Sequence, residues 1–353
     1  MNNALLPGLG GPMGRHARQE GLWFNPLPWA LGLATLLFVV VYLRHLPCLQ
    51  TDAETGVDTF IRLCYTDIQA SFISGGLASG ESVFGGPVSF SPLTAVVVAT
   101  TVWLTSAMGA DIGPTSDLQA QLDAMPVFFG LTTVVLFGCF LAAVAAAVLL
   151  GRDSANAAPT GKRYRSWQAL AIAASPIVLA TGLIDWSLLP LALTMLGLLR
   201  FAQRRVVEAG LLLGLAAAAG TMPIAVLLAV GVAVGLRGTR AAILAFWASS
   251  AGIFLAVHVP LMLNQPSLVV DYYVGQIDRS SSDGSLLFLL EQVLGFESRE
   301  IGALFFALRL LILGALVAWL YVTRRRPRVG SLVGLFVLVT VLLAPGFTPQ
   351  TAL

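Results

Sequence analysis

The chain has 353 residues, of which 57% are hydrophobic and 11% are charged. A soluble domain carries roughly 25% charged residues, so this composition and the mean hydropathy of +0.85 exclude an ordinary soluble protein. The formal net charge is only +2, and because the arginines fall in short clusters between apolar runs, it gives no indication of nucleic-acid binding, which we do not expect. Because apolar runs long enough to cross about 30 Å of hydrocarbon recur along the chain, we predict an all-α polytopic membrane protein.

Residues 1–26 are polar and rich in Gly and Pro, and we interpret them as a flexible cytoplasmic tail. Residues 27–353 are predicted to form a single transmembrane domain of about 9–10 helices. Because no small-residue cleavage site follows the first apolar run, we expect that run to be a retained helix rather than a signal peptide. The predicted spans are residues 27–43, 93–110, 126–150, 167–184, 186–200, 207–219, 223–236, 241–263, 302–322 and 331–344.

Arginine clusters orient the predicted helices, because basic residues concentrate on the cytoplasmic side of a membrane protein. They determine the topology after Arg165 if residues 207–236 form a hairpin of two half-length helices. The sequence GTMP (220–223) interrupts that stretch, and both Gly and Pro break helices. The clusters lie at residues 152–165, 200–205, 237–240 and 324–328.

The first third of the chain does not give a consistent count of crossings. Arg15 and Arg18 place the N-terminus in the cytoplasm, so the acidic loop 47–91 is predicted to lie outside. Two further full crossings would then leave the basic residues 151–166 outside as well. Either one span between residues 93 and 150 is re-entrant or interfacial, or an amphipathic piece of the first loop crosses the membrane.

Two of the three cysteines, Cys48 and Cys64, lie in the first predicted outer loop. A disulfide between them could persist in an oxidising compartment, and closing a loop of that size stabilises a fold by about 3 kcal/mol in the entropic description. Two unrelated free thiols are the alternative. Cys139 lies in the middle of a predicted helix, and we interpret it as a small core residue.

Acidic and aromatic side chains gather in the three loops that this topology places outside. Carboxylates can accept a proton from a sugar hydroxyl, an arginine can bind a lipid-linked phosphate, and aromatic rings offer sugars an apolar face. Taken singly, each acid is equally explained as a solvated loop residue, and the tyrosines as anchors in the membrane interface. The candidate residues are Tyr65, Asp67, Asp185, Trp186, Tyr272, Arg279 and Asp283.

Spacing of the possible ligands gives no sign of a metal or nucleotide site. The three histidines, His16, His45 and His258, are far apart in the sequence. A phosphate-binding loop would combine several glycines with a lysine before a helix, and the chain has no such segment. We therefore expect no cofactor.

Four stretches, in this order, resemble glycosyltransferase family 87. They are CYTDIQASFISGGLASGESVFGG (64–86), SWQALAIAASPIVLATGLIDWSLLPLAL (166–193), RRVVEAGLLLGLAAAAGTMPIAVLLA (204–229) and HVPLMLNQPSLVVDYYVGQIDRSSSDGSLLFLL (258–290). The chain looks like the actinobacterial, polyprenyl-phosphate-mannose-dependent α-mannosyltransferases of that family. The resemblance implies a GT-C-like bundle of transmembrane helices with loops at the outer face.

The resemblance also implies an activity and a site. Asp67 matches the acid that follows helix one in the family and would be the catalytic base. Arg279 and Asp283 match the fourth motif and would line the donor or acceptor cleft. The expected partners are a polyprenyl-phosphate sugar donor, a glycolipid or glycan acceptor and membrane lipid. The expected location is the cell membrane, crossed several times, with the active face extracytoplasmic.

The chain departs from the family pattern at several positions. Asp185-Trp186-Ser187 stands where the family has Asn-Trp-Asp, and Thr221-Met222 stands where a basic residue commonly precedes the proline. The chain ends at PGFTPQTAL, where relatives continue into further helices, so we expect a C-terminally shortened member. The alternatives are a non-catalytic scaffold and a transporter or flippase of lipid-linked sugars, although the nearly acid-free spans disfavour a transporter.

Overall fold

The computed structural model describes residues 25–49, 61–84, 86, 88–156, 167–277, 285–294 and 298–344. Within these ranges the regular elements are helices, without a β-strand. We number them α1 Pro26–Leu49, α2 Asp67–Ile73, α3 Pro92–Ala107, α4 Leu118–Asn156, α5 Ala169–Ala173, α6 Pro176–Thr181, α7 Leu188–Ala202, α8 Val206–Ala219, α9 Met222–Arg237, α10 Arg240–Asn264, α11 Pro266–Ile277, α12 Leu286–Leu294, α13 Ser298–Thr323 and α14 Val329–Leu342. Of the predicted tail, only Asn25 and Pro26 belong to the described residues.

Four of these helices, α1, α4, α10 and α13, are long and apolar enough to cross a membrane. Several shorter apolar helices pack among them, including α7, α8 and α9. Large aliphatic side chains face outward along the long helices, as Leu36 at 63% exposed and Leu311 at 66% exposed illustrate. This pattern is expected where lipid rather than water surrounds a bundle. The prediction of an all-α polytopic membrane protein is confirmed.

The first two long helices, α1 and α4, are antiparallel neighbours. Residues spaced three or four apart along α1, among them Ala34, Phe38 and Val41, are buried because this spacing places them on one face of a helix. The Phe38 ring lies 5.2 Å from that of Phe137. At one end of the pair, the side-chain oxygen of Asn25 accepts a hydrogen bond from the Arg152 guanidinium.

Small residues allow α8 to lie unusually close to α10. A Cβ atom added to Gly214 would come within 2.5 Å of the Ser250 carbonyl oxygen, and one added to Gly210 within 2.7 Å of the Phe246 carbonyl oxygen. Glycine is therefore required at both positions for the two backbones to approach this closely. Close approach at small residues is the usual way in which helices associate in a membrane.

The bundle has two chemically different ends. An ion pair of 3.2 Å joins Arg200, in the last turn of α7, to Glu208, in the first turn of α8. At the same end the Arg237 guanidinium donates to the Pro327 carbonyl oxygen. We call this end, with Arg152, the basic end. We call the opposite end, which carries Asp67, Asp111, Asp117, Asp123 and Asp185, the acidic end.

Hydrogen bonds at both ends of α3 show where this helix lies in the bundle. The Ser91 hydroxyl, just before α3, donates to the Ala219 carbonyl oxygen at 2.7 Å, at the end of α8 that is farther from the basic end. Beyond α3, the Gly113 N–H donates to the Ala78 carbonyl oxygen in the first loop at 2.8 Å. Both ends of α3 therefore lie at the acidic end. This geometry favours the alternative in which one span between residues 93 and 150 is re-entrant or interfacial.

The interruption predicted at GTMP is confirmed. Helices α8 and α9 are 14 and 16 residues long and are separated by Gly220 and Thr221. The Ala219 carbonyl, which the helix end leaves without an intrahelical partner, accepts hydrogen bonds from Ser91 and Thr94 instead. The span drawn at 167–184 is also divided, because Pro176 begins a new short helix after Ala174 and Ser175.

Candidate active site

The first loop is docked onto the turn between α6 and α7. The Thr66 hydroxyl donates to the Leu183 carbonyl oxygen at 2.6 Å, and the Asp67 N–H donates to the Ile184 carbonyl oxygen at 2.8 Å. Thr66 is also the N-cap of α2, where its side-chain oxygen accepts from the Ile68 N–H at 3.2 Å. One threonine thus begins the helix that starts with Asp67 and holds it against Leu183.

The predicted base, Asp67, is half-buried at the start of α2. Its Oδ1 atom accepts a hydrogen bond from the Tyr65 hydroxyl at 2.8 Å, and Oδ2 makes no hydrogen bond to any residue that the structure describes. This hydrogen bond, with burial and the negative charge of Asp67, raises the pKa of Tyr65 to about 12. Tyr65 therefore stays a protonated donor that orients the carboxylate, while the second carboxylate oxygen can meet a ligand.

A second carboxylate, that of Asp185, lies close to Asp67. Its Oδ1 atom accepts from the Ser187 N–H at 3.0 Å and also from the Ser187 hydroxyl. Burial raises the pKa of Asp185, and the negative charge of Asp67 raises it further, whereas the two bonds from Ser187 lower it. Two carboxylates from loops far apart in sequence are thus brought together.

Trp186 is placed behind this turn rather than at its surface. Its side chain is only 7% exposed, and the Phe90 ring meets it edge-on with ring centroids 5.2 Å apart. The indole N–H is buried and has no hydrogen-bond partner among the described residues. Trp186 therefore supports the Asp185 turn from within the core, and its contact with substrate stays a prediction.

A disulfide joins Cys48, in the last turn of α1, to Cys64, and their Cα atoms lie 6.1 Å apart. Cys64 is fully buried and is followed directly by Tyr65, Thr66 and Asp67. The bridge therefore fixes the beginning of the candidate site to the end of the first membrane-spanning helix. Cys139 is a free cysteine that is half-buried and packs against the edge of the core.

The remaining candidates come from the segment after α10. Tyr272 lies on α11, where its ring meets that of Tyr273 edge-on with centroids 5.1 Å apart. The Tyr273 hydroxyl is hydrogen-bonded to Nε2 of His258 at 2.9 Å, which ties α11 to α10. Arg279 and Asp283 lie outside the described residues.

Sequence reasoning missed two residues that hold the site together. Thr66 stands directly before an acidic residue and an amphipathic run, which is a helix N-cap pattern and could have been recognised. Arg44 donates to the carbonyl oxygens of Leu179 and Ala180 at 3.0 and 3.1 Å, at the C-terminal end of α6. An arginine near the end of an apolar span was the available signal for it.

Among the described residues, no group of three or more His, Cys, Asp or Glu side chains is arranged to hold a metal ion. The carboxylates of the site, Asp67 and Asp185, are accompanied by hydroxyl groups rather than by further metal ligands. The expectation that the reaction needs no cofactor stays a prediction.

Comparison with known families identifies the family of the chain. Residues 118–345, well over half of the chain, match the sequence model of glycosyltransferase family 87. The chain belongs to glycosyltransferase family 87. Membership implies a membrane glycosyltransferase that uses a lipid-linked sugar donor and an acceptor. No curated protein and no solved structure matches the chain.

The matched segment includes Asp185, Trp186 and Tyr272 but begins after Tyr65 and Asp67. The hydrogen bonds of the first loop to Leu183 and Ile184 therefore connect the predicted base to the part of the chain that identifies the family.

Proposed function

We propose that this member of glycosyltransferase family 87 transfers a hexose, specifically mannose, from a polyprenyl-phosphate sugar to a glycolipid or glycan of the cell envelope. The observation that carries the proposal is the arrangement of Tyr65 and Asp67. Their hydrogen-bonded pair sits beside Asp185, at the end of the bundle opposite the arginine-rich turns. The proposed architecture is the GT-C fold that the resemblance implies.

The distribution of charge supports an extracytoplasmic active face. Basic turns stay on the cytoplasmic side of membrane proteins, so the basic end would face the cytoplasm. The acidic end, with Asp67 and Asp185, would then lie at the outer surface of the cell membrane. A polyprenyl-phosphate donor and a glycolipid acceptor are both anchored in the bilayer and can meet there without leaving it.

The proposed reaction is a direct substitution at the anomeric carbon of the donor sugar. The acceptor hydroxyl oxygen bonds to that carbon, the bond from the carbon to the phosphate oxygen breaks, and the polyprenyl phosphate leaves with the bonding electrons. Asp67 accepts the hydroxyl proton through Oδ2, as a general base. Arg279, which lies outside the described residues, is proposed to bind the departing phosphate.

Asp185 is proposed to bind the acceptor. The Asp185 carboxylate, whose Oδ1 atom is held by Ser187, can accept hydrogen bonds from sugar hydroxyl groups, while the neighbouring Asp67 is the proposed base. Tyr272 and Trp186 are proposed as substrate-binding residues on the resemblance alone.

The proposal is tested in membranes that contain the full chain, polyprenyl-phosphate mannose labelled in the sugar, and a total envelope lipid extract. Label should move into a new glycolipid with the wild type and should not do so with Asp67→Asn. Asp111→Asn is the matched control, because Asp111 is an exposed carboxylate at the same end of the bundle. Transfer by Asp67→Asn at the wild-type rate would refute the assignment of the base.

Two further outcomes would favour the other functions. Binding of the donor without transfer by the wild type would favour a non-catalytic scaffold. Movement of labelled donor between leaflets of vesicles, without a new glycolipid, would favour a flippase. Replacing the donor by polyprenyl-phosphate glucose tests the sugar, because a mannose-specific site should transfer little glucose.

A further inference from the structure

A short exposed turn, Ile61-Arg62-Leu63, immediately precedes the disulfide and the candidate site. Ile61 is 80% exposed and Leu63 is 72% exposed, although both are large aliphatic residues. Arg62 between them is exposed and has no hydrogen bond or ion pair with any described residue. Two outward aliphatic side chains on either side of a cation form a surface that neither the protein core nor the candidate reaction explains.

The backbone of this turn is held in a costly conformation. Leu63 has a φ of 54°, in the left-handed region that residues with a Cβ atom rarely occupy. The next residue, Cys64, is fully buried and bonded to Cys48, so the fold keeps the strain in place. Left-handed residues of this kind persist where the surrounding structure enforces them, often at functional positions.

The disulfide also determines how deep in the membrane the turn lies. Helix α1 has 24 residues and is therefore about 36 Å long, somewhat more than the 30 Å or so of hydrocarbon that it crosses. Cys48 in its last turn consequently lies near the boundary between hydrocarbon and headgroups. The Cα atom of Cys64 is only 6.1 Å from that of Cys48, and Arg62 is at most about 7 Å farther along the chain.

We infer that the Ile61-Arg62-Leu63 turn is a membrane-docking element that inserts into the headgroup layer of anionic phospholipids at the acidic end. Ile61 and Leu63 bury their side chains among the upper parts of the acyl chains. Arg62 binds the lipid phosphates between them. The headgroup layer is about 5–8 Å thick on each side, which matches the reach of the turn from Cys48.

Docking of this turn has a consequence for the neighbouring carboxylate. Only Cys64, Tyr65 and Thr66 separate Leu63 from Asp67, and the disulfide and the Thr66 hydrogen bonds fix those three residues. A turn anchored among phosphates therefore holds Asp67 at the level of the headgroups. The inference concerns the position of the turn and does not depend on which reaction Asp67 supports.

Depth-dependent quenching of a fluorescent amino acid, introduced at one position at a time, tests the inference on the full chain in nanodiscs. Leu36, in the middle of α1, and Leu118, at the start of α4, are matched exposed leucines. Phe129 of α4 packs on His45 of α1, with ring centroids 5.7 Å apart, so these two residues lie at the same depth. Leu118 precedes Phe129 by eleven residues, and Cys48 follows His45 by three. At 1.5 Å per residue, Leu118 therefore lies about 12 Å farther toward the acidic end than Cys48. Leu36 should therefore report hydrocarbon and Leu118 water.

The probe at Leu63 should be quenched at least about twofold more than the probe at Leu118 by lipids brominated near the headgroup. Lipids brominated near the end of the acyl chain should quench the probe at Leu36 most. A probe at Ile61 repeats the measurement in case the label at Leu63 disturbs the left-handed residue. If the probes at both positions behave like the one at Leu118, the turn lies in water and the inference is wrong.

Arg62 is tested by the charge of the lipid. Adding phosphatidylglycerol to phosphatidylcholine nanodiscs should raise shallow quenching at Leu63 by about twofold, because each cation near the surface is attracted to anionic lipid. Arg62→Gln should remove this increase, and Arg204→Gln, at the basic end, should not. An increase that survives in Arg62→Gln would refute the assigned role of this arginine.

Discussion

The Thr66 hydroxyl donates a hydrogen bond to the Leu183 carbonyl oxygen at 2.6 Å, although the two residues are 117 positions apart in the chain. Both groups are buried, and the neighbouring Asp67 N–H makes a parallel contact with Ile184. These contacts join the loop that carries Asp67 to the turn that carries Asp185. The arrangement of the two carboxylates therefore depends on a threonine that takes no part in the proposed chemistry.

Replacing Thr66 by Val should separate the two carboxylates while preserving the shape of the side chain. The buried Leu183 carbonyl oxygen would lose its hydrogen-bond donor, so we expect the free energy of unfolding to fall by about 1–3 kcal/mol. Sugar transfer should fall as well. Thermal unfolding and transfer are measured beside Thr100→Val, whose hydroxyl bonds only to its own helix at an exposed position. Equal effects of the two variants would contradict this role of Thr66.

Reduction of the disulfide should loosen the same loop. The bridge spans 16 positions, and in the entropic description a loop of this size contributes about 3 kcal/mol to the free energy of unfolding. Reductant should lower both the unfolding temperature and the rate of sugar transfer of the wild type. Both should then equal those of the double variant Cys48→Ser/Cys64→Ser. Reductant should leave that variant unchanged, and Cys139→Ser should retain the sensitivity of the wild type.

Tyr65→Phe should slow transfer without preventing insertion or folding. Tyr65 orients Asp67 through one hydrogen bond of 2.8 Å, and losing a hydrogen bond to a carboxylate costs about 1.5 kcal/mol or more, close to a tenfold lower rate. The rate is compared with Tyr42→Phe, because the Tyr42 hydroxyl makes no hydrogen bond among the described residues and its ring packs on Phe129. A loss as complete as that of Asp67→Asn would show that Tyr65 does more than orient the base.

The sequence was sufficient for features that depend on local pattern. Apolar runs located most of the long helices, and Gly220 and Pro223 located the interruption between α8 and α9. The pairing of Cys48 with Cys64 was left open against two free thiols. Local pattern could not settle it, because a disulfide depends on how close the chain brings two Cα atoms.

Other features depend on contacts between segments that are far apart in the chain, and the spacing of apolar residues does not predict such contacts. The sequence left the crossing count between residues 93 and 150 open, since α3 is as apolar as a span. Its position follows from the bonds of Ser91 to Ala219 and of Gly113 to Ala78. The docking of Thr66 on Leu183 is of the same kind. A cap pattern predicts that α2 begins at Asp67, but not what the cap touches.

Asp185 makes the free energy of unfolding depend on pH, because its pKa is raised in the folded chain. The folded state then binds a proton at Asp185 more tightly than the unfolded state does, whose pKa is about 3.9. The stabilisation from this proton is fully present below the unfolded pKa. It is lost as the pH rises through the raised folded value, so above that value the charge of Asp185 lowers the free energy of unfolding.

Asp185→Asn should therefore raise stability and lower activity at neutral pH. Asparagine still accepts the hydrogen bonds from Ser187 but carries no charge, so burial and the neighbouring Asp67 no longer oppose it. The unfolding temperature of the variant should exceed that of the wild type at pH 7, with the difference shrinking toward acidic pH, and transfer should fall about tenfold. Asp111→Asn, at an exposed position, should change neither. A wild type that is more stable than Asp185→Asn at every pH would mean that the Asp185 charge stabilises the fold, contrary to the raised pKa.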